Sequence, residues 1–285
     1  MDELPGKIAK WLEAQGYPFE MSVALQFQRA GFQVSLSDAY SDYESSTQRE
    51  IDVSAIRWSD LEAHAALQVA ARVECKTSKG KPWVVFVSQA QPEAILPIEV
   101  LCSSGCRVFF AELLKIPHAW KVLRGAPLLK PALLGHGIIQ AFKDQQDVAY
   151  AAAFSSVKAC VYRAMQFDSP EMFRATSGKR LLAAVCFPMI AIDTKLFECQ
   201  ITEAGAPTVR EVDYSTLLWR GINPVNGAAM ISVVTKKGLP ALIDLFSATC
   251  DILNELVGQN IAVLESAVRD ANASILKRHS PPTIE

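Results

Sequence analysis

Two stretches of the chain carry side chains that could act together on a phosphate. Arg72-Val73-Glu74-Cys75-Lys76 supplies a glutamate and a lysine, and Arg49-Glu50-Ile51-Asp52-Val53, about twenty residues earlier, supplies an aspartate. Both read as β-strands. Strand side chains alternate faces, so Glu74 and Lys76 point the same way, roughly 6–7 Å apart, and Val73 and Cys75 point the other. Two carboxylates at a strand edge are hard oxygen ligands, suited to Mg²⁺ or Mn²⁺ rather than zinc, and the backbone carbonyl of Cys75, between Glu74 and Lys76, can be a further oxygen ligand. A divalent cation held there activates water and clamps a phosphate oxygen. Lys76 is placed to orient the attacking water or to offset charge on the phosphate.

These residues need elements to position them. Residues 5–16 read as a short amphipathic helix stopped at Gly16. Pro18 opens a second helix, ending before Gly31, whose apolar face is Val23, Ala24, Phe27 and Ala30. Glu20 falls on that face. It either complements the helix dipole from the first turn or points into the metal site. Phe32–Leu36, Glu50–Trp58 and Gln68–Lys76 read as strands, with residues 37–48 a polar loop and 59–66 a linker. On the second strand Ile51, Val53 and Ala55 share a face, and Asp52 takes the other. A basic turn follows, with Lys79 and Lys81 flanking Gly80, and then an apolar strand, Trp83–Val87. Residues 92–103 are weakly helical, and Cys106–Ala111 reads as a strand.

Beyond it come a Pro- and Gly-punctuated connector over 117–137 and an alanine-rich helix over 138–165. Short strands follow at 181–186, 189–193, 196–201, 209–213 and 230–234, and a closing helix over 239–272. The fold class is α/β, a mixed central sheet flanked by helices. Residues 1–115 form the core that carries the candidate site. Residues 116–285 form an α/β C-terminal extension that adds to the same sheet or stands beside it.

The order helix–Glu20, strand, strand–Asp52, strand–Glu74-x-Lys76 resembles the PD-(D/E)XK nuclease superfamily, in its restriction-endonuclease-like branch with Mrr-type enzymes and Holliday-junction resolvases. The resemblance covers roughly residues 15–110. It lacks the proline before the acid for which the superfamily is named. It implies that Asp52 and Glu74 ligate Mg²⁺, with Mn²⁺ as substitute, that Lys76 is the catalytic lysine, and that Glu20 is an accessory acid. The implied function is metal-dependent hydrolysis of nucleic acid, as a DNA endonuclease in bacterial defence or repair. The alternative is a catalytically inactive nuclease fold used for binding or assembly.

Simpler roles exist for each residue. Asp52 can pair with Arg49 or Arg57, and Glu74 with Lys76 can be an exposed ion pair worth under about 1 kcal/mol. Lys79 and Lys81 either contact phosphates or line a solvated turn. Gln89 reads as a surface residue and Trp83 as core. His136, between two glycines, reads as a loop or capping residue. A formal charge of −2 is unusual for a protein that grips nucleic acid over a wide surface. It calls for local polarisation around Lys76, Lys79 and Lys81 or for a partner that delivers the substrate, and the long second half could serve a homodimer or partner docking.

Seven scattered cysteines without a paired spacing read as reduced, buried thiols in a cytoplasmic protein. The N-terminal residues lack the charged and apolar regions of a signal peptide. The longest apolar run, near 181–192, is too short to cross a bilayer. No nucleotide-binding glycine loop and no GxSxG is present.

Overall fold

The computed structural model describes residues 3–13, 15–59, 64–77, 80–89, 100–142, 147–169, 172, 181–220 and 229–279, with their side chains except at 13, 89 and 275–279. Helices α1 (Glu3–Glu13) and α2 (Tyr17–Arg29) precede a meander of β1 (Gln33–Ser41), β2 (Gln48–Trp58) and β3 (Ala65–Lys76). Then come β4 (Trp83–Gln89), β5 (Leu101–Cys102), α3 (Ser104–Leu113), α4 (Pro117–Leu123), β6 (Leu133–Gln140) and α5 (Val148–Phe167). Strands β7 (Leu181–Ile192), β8 (Leu196–Ile201), β9 (Pro207–Val212), β10 (Tyr214–Trp219) and β11 (Ala229–Thr235) lead to α6 (Leu239–Gln259) and α7 (Ile261–His279).

The strands join in one mixed sheet ordered β1-β2-β3-β7-β11-β10-β6-β4-β8-β9, with β5 beside β7. The first three strands are antiparallel, while β3, β7 and β11 run parallel. One sheet therefore takes strands from both sides of residue 115. Every residue of β3 from Ala65 to Cys75 is buried, which explains its nearly continuous apolar run.

Helices cover both faces. On one, Val23 and Phe27 of α2, Phe109 and Phe110 of α3, Phe246 of α6 and Leu264 of α7 pack against Val53, Ala55, Val73 and Cys75. Phe32 stacks on Phe246 at 5.1 Å, with Phe27 and Phe187 edge-on to Phe246. On the other face α5 lays Ala149, Ala152, Ala153, Val157 and Cys160 against Ala70, Cys186 and Ile190. Its small side chains let the helix axis approach the sheet closely. All seven cysteines are free and buried, and no helix among the described residues is long and apolar enough to cross a membrane.

Several elements differ from the sequence reading. Residues 106–111 are helical, within α3. Its buried side chains are Cys106, Phe109, Phe110 and Leu113, and that i, i+3, i+4, i+7 spacing is helical. Of the weak helix at 92–103, residues 92–99 lie outside the described residues and Leu101–Cys102 is a strand. The connector at 117–137 contains α4 and the start of β6. The helix expected over 138–165 begins only at Val148, where Asp147 accepts hydrogen bonds from the N–H groups of Ala149 and Tyr150. Gly135 and Gly137 belong to β6, and a Cβ on Gly135 would lie 2.4 Å from Val85. His136 is thus an exposed strand residue, neither loop nor cap.

The two strands expected at 181–193 are one. Pro188 is tolerated because it falls where the neighbour of β7 changes, after the pairing of Val185 and Cys186 with β5 and before that of Met189 with β11. The closing helix is two helices, broken at Asn260 (φ −130°). The loop expected from residue 37 begins only after Ser41.

Candidate functional site

The site lies at the carboxyl end of β3. There the regular alternation of β1 and β2 slips. Val53 and Ala55 face α2, but Ile51, two residues from Val53, packs with Tyr40 and with Ala159 of α5 on the opposite face. Ile51 and Val53 therefore do not share a face as the alternation predicts. The cause is visible in the ladder. Ser37 has φ +50°, and it and Asp52, facing each other, drop out of the β1–β2 register. The β2–β3 register ends at Val53 and Val73. Asp52 accordingly turns edgewise into the seam, and its Oδ2 accepts a 2.6 Å hydrogen bond from the N–H of Cys75. A side-chain carboxylate stands where a strand carbonyl would otherwise be.

Val73 and Cys75 point into the α2-side core, and Glu74 and Lys76 point the other way, as the strand period requires. Glu74 is 7% exposed. Lys76 Nζ donates to its Oε1 at 2.5 Å, while Oε2 is buried without a hydrogen-bond partner. The pair is therefore not an exposed edge ion pair. Nor does Asp52 pair with the expected arginines: Arg49 contacts Asp42, and Arg57 contacts Asp251 and the carbonyl of Ala30.

Glu20 enters from α2. Gly16 (φ +85°) precedes the helix in a conformation that favours glycine, and its carbonyl accepts from the N–H groups of Phe19 and Glu20. A Cβ on Gly16 would sit 3.8 Å from both Glu20 Oε1 and the Thr77 side chain. From the sequence Gly16 reads only as a helix stop, and nothing marks Ser37 or Thr77 as part of a site. A glycine just before the Pro18 helix was the one available signal for this close approach.

The electrostatics make the cluster one unit. Burial pushes the Glu74 carboxyl up to about 7, against the pull of Lys76 and with the push of Asp52 and Glu20. Burial also raises Asp52, opposed by the Cys75 N–H and by Lys76. It raises Glu20, with Asp52 adding to the rise. For Lys76 burial acts downward and is the largest single influence, but the charge and hydrogen bond of Glu74 together with the charge of Asp52 leave the ammonium above its ordinary value. Glu20, Asp52 and Glu74 thus share the pull of Lys76, and the charge of Glu50 adds to the rise of Glu20 and Asp52. Such a site is short of positive charge, and Glu74 Oε2 is the atom that most lacks a partner.

This shortage gives a stability prediction. The folded-state value of Glu74 lies above its unfolded one, so the carboxylate costs stability as pH rises from about 4.5 to 7, on the order of 1–3 kcal/mol. In cation-free buffer at pH 8, Glu74→Gln should melt several degrees above wild type, and the difference should vanish below about pH 4.5. A variant that melts lower at pH 8 would show that Glu74 is satisfied in solution.

Lys81 is exposed, and Lys79 and the side chain of Gln89 lie outside the described residues. Trp83 is fully buried. Among the described residues no three His, Cys, Asp or Glu side chains group as a metal-binding set. The expected ligands are two carboxylates and a main-chain carbonyl. Comparison with known proteins gives no match to any family model, curated protein or solved structure.

Proposed function

We propose that the chain is a Mg²⁺-dependent nuclease of the PD-(D/E)XK type that hydrolyses phosphodiester bonds in nucleic acid, as a cytoplasmic DNA endonuclease of bacterial defence or repair. The observation that carries this reading is Glu74. Its buried Oε2 has no partner, its Oε1 is held by Lys76, and Asp52 is turned into the same seam. A buried carboxylate oxygen left open beside a second acid fits a divalent cation better than it fits a structural role. The antiparallel β1-β2-β3 meander, with β7 parallel beside β3 and helices on both faces, agrees with a restriction-endonuclease-like core.

Asp52 and Glu74 would hold the cation, with the Cys75 carbonyl as a third oxygen. Bound there, it would supply Lewis-acid chemistry. The chain's own groups do the rest. The Cys75 N–H fixes the Asp52 carboxylate. Lys76 holds Glu74 in its rotamer and presents positive charge to a phosphate at the strand end. Glu20 bounds the site from the α2 side, next to Thr77. Lys81 and Lys79 on the following turn would contact the nucleic-acid backbone.

Calorimetric titration with Mn²⁺ tests the ligand set without relying on turnover. Wild type should bind one or two ions, and Asp52→Ala and Glu74→Ala should each lose at least about tenfold in affinity. Incubation with plasmid, linear, single-stranded and RNA substrates in Mg²⁺ or Mn²⁺ then tests the chemistry. Cation binding without cleavage of any of them would favour the binding or assembly module.

A further inference from the structure

Helix α1 is amphipathic, yet almost none of it is buried. Leu4, Ile8 and Trp11 follow one another at spacings of four and three, so they form one stripe. Among the described residues nothing covers that stripe: all three side chains stay largely exposed. An isolated helix of this length is marginal in water, and in proteins helices are held chiefly by packing of their apolar face. Helix α2, which α1 contacts, buries Phe19, Val23, Ala24 and Phe27 in the core. It leaves Tyr17, Met21 and Leu25 outside, at spacings of four. All six residues are between 43% and 67% exposed.

Weighting each residue's ordinary surface by its exposure gives an apolar area on the order of 700–800 Å². It matches the roughly 800 Å² that each partner contributes to a stable interface. The charges on α1 indicate which partner. Glu3 lies in the first turn and Lys10 in the last, with Lys7 bridged to Glu3 at 2.8 Å. The described charges are of both signs, which does not suit a helix lying on an anionic membrane. A second copy of α1 crossing antiparallel about Ile8 sets Leu4 beside Trp11 of the partner subunit. The same crossing brings Glu3 to within a turn of Lys10 of the partner subunit, twice over, and opposes the two helix dipoles.

We infer that the exposed stripes of α1 and α2 form a two-fold interface with a second copy of this chain, centred on Ile8. The inference is independent of the proposed chemistry, since none of the six residues belongs to the acid–lysine cluster.

Sedimentation of the full chain from about 1 to 100 µM tests it, that range covering affinities expected of an interface of this size. Wild type should sediment as a dimer. Trp11→Lys and Met21→Lys, both at exposed positions, should each weaken association at least about tenfold with an unchanged circular dichroism spectrum. Glu3→Lys and Lys10→Glu should each weaken it too, and the double exchange should restore it, because only the contact between subunits is re-formed. A wild type that stays monomeric overturns the inference, and if that monomer floats with neutral lipid vesicles the stripe is a lipid-binding surface instead. Dimerisation unaffected by Trp11→Lys and Met21→Lys overturns it as well. A double exchange no better than its single components overturns the antiparallel arrangement.

Discussion

Lys76→Ala is expected to reduce phosphodiester cleavage by about 10²–10⁴-fold, the range for loss of a positioned charged or proton-transferring group. Two effects add. The variant removes the positive charge that would offset charge developing on the phosphate. It also strips Glu74 of the ammonium that hydrogen-bonds it, so the carboxyl, pushed up to about 7 by burial even with Lys76 in place, rises further. Glu74 is then protonated over more of the working range, and Mn²⁺ affinity should fall at pH 7 and recover as pH is raised. Lys76→Arg keeps the charge and should retain cation affinity while cleavage stays impaired, because the planar guanidinium differs in shape and reach from the compact ammonium. Cleavage rates and calorimetric affinities of the two variants, measured side by side from pH 6 to 9, separate these effects. Equal cleavage by wild type and Lys76→Ala would place the active site elsewhere.

How much of this was legible in the sequence depends on whether a signal was local. The Glu74–Lys76 face and the burial of Val73 and Cys75 follow from strand alternation, and the structure has them so. The course of α2 followed from Pro18 and its apolar spacing. The orientation of Asp52 did not follow, because it depends on a slip involving Ser37 on the neighbouring strand, and a serine at positive φ leaves no mark in composition. The neighbour of β3 was equally hidden. It is β7, more than a hundred residues later in the chain, and not the apolar strand at Trp83 that comes next. Long-range pairing is set by which faces remain to be buried once the helices are placed, and no window of sequence contains that information. The helix expected over 138–165 holds from Val148 onward but starts ten residues late, because Leu133–Gln140, with the glycines at 135 and 137, is a strand.

Lys158→Met should destabilise the fold by about 3 kcal/mol, or roughly 6–10 °C in melting temperature. Lys158 lies midway along α5 among alanines and is 5% exposed. Its Nζ contacts both carboxylate oxygens of Asp42 at 2.7 Å and Glu44 at 2.8 Å, and sits 4.1 Å from the centre of the Phe154 ring. Asp42, 1% exposed, opens the β1–β2 turn, accepting at its side chain from the N–H of Glu44 and at its carbonyl from that of Ser46. Burial alone would raise its carboxyl, but the Lys158 bond and the Glu44 N–H outweigh it and bring it down to about 2. Removing Lys158 leaves a buried carboxylate with Arg49, at 3.2 Å, as its remaining cation. Because the folded value is depressed, this interaction stabilises the protein above the unfolded value of about 3.9 and is lost as pH falls through about 2. In the variant burial dominates, so its deficit against wild type should shrink below about pH 4 as Asp42 protonates. Asp42→Asn combined with Lys158→Met should recover about half of the loss, since no buried charge then lacks its partner. Urea midpoints of the three proteins at pH 7 and pH 3.5 measure both effects, and a Lys158→Met within about 0.5 kcal/mol of wild type would show that the turn is not fastened this way. The effect should also reach the candidate site, because Tyr40, two residues before Asp42, packs on Ile51 beside Asp52. Loosening the turn should weaken Mn²⁺ binding by a few-fold, without touching either carboxylate.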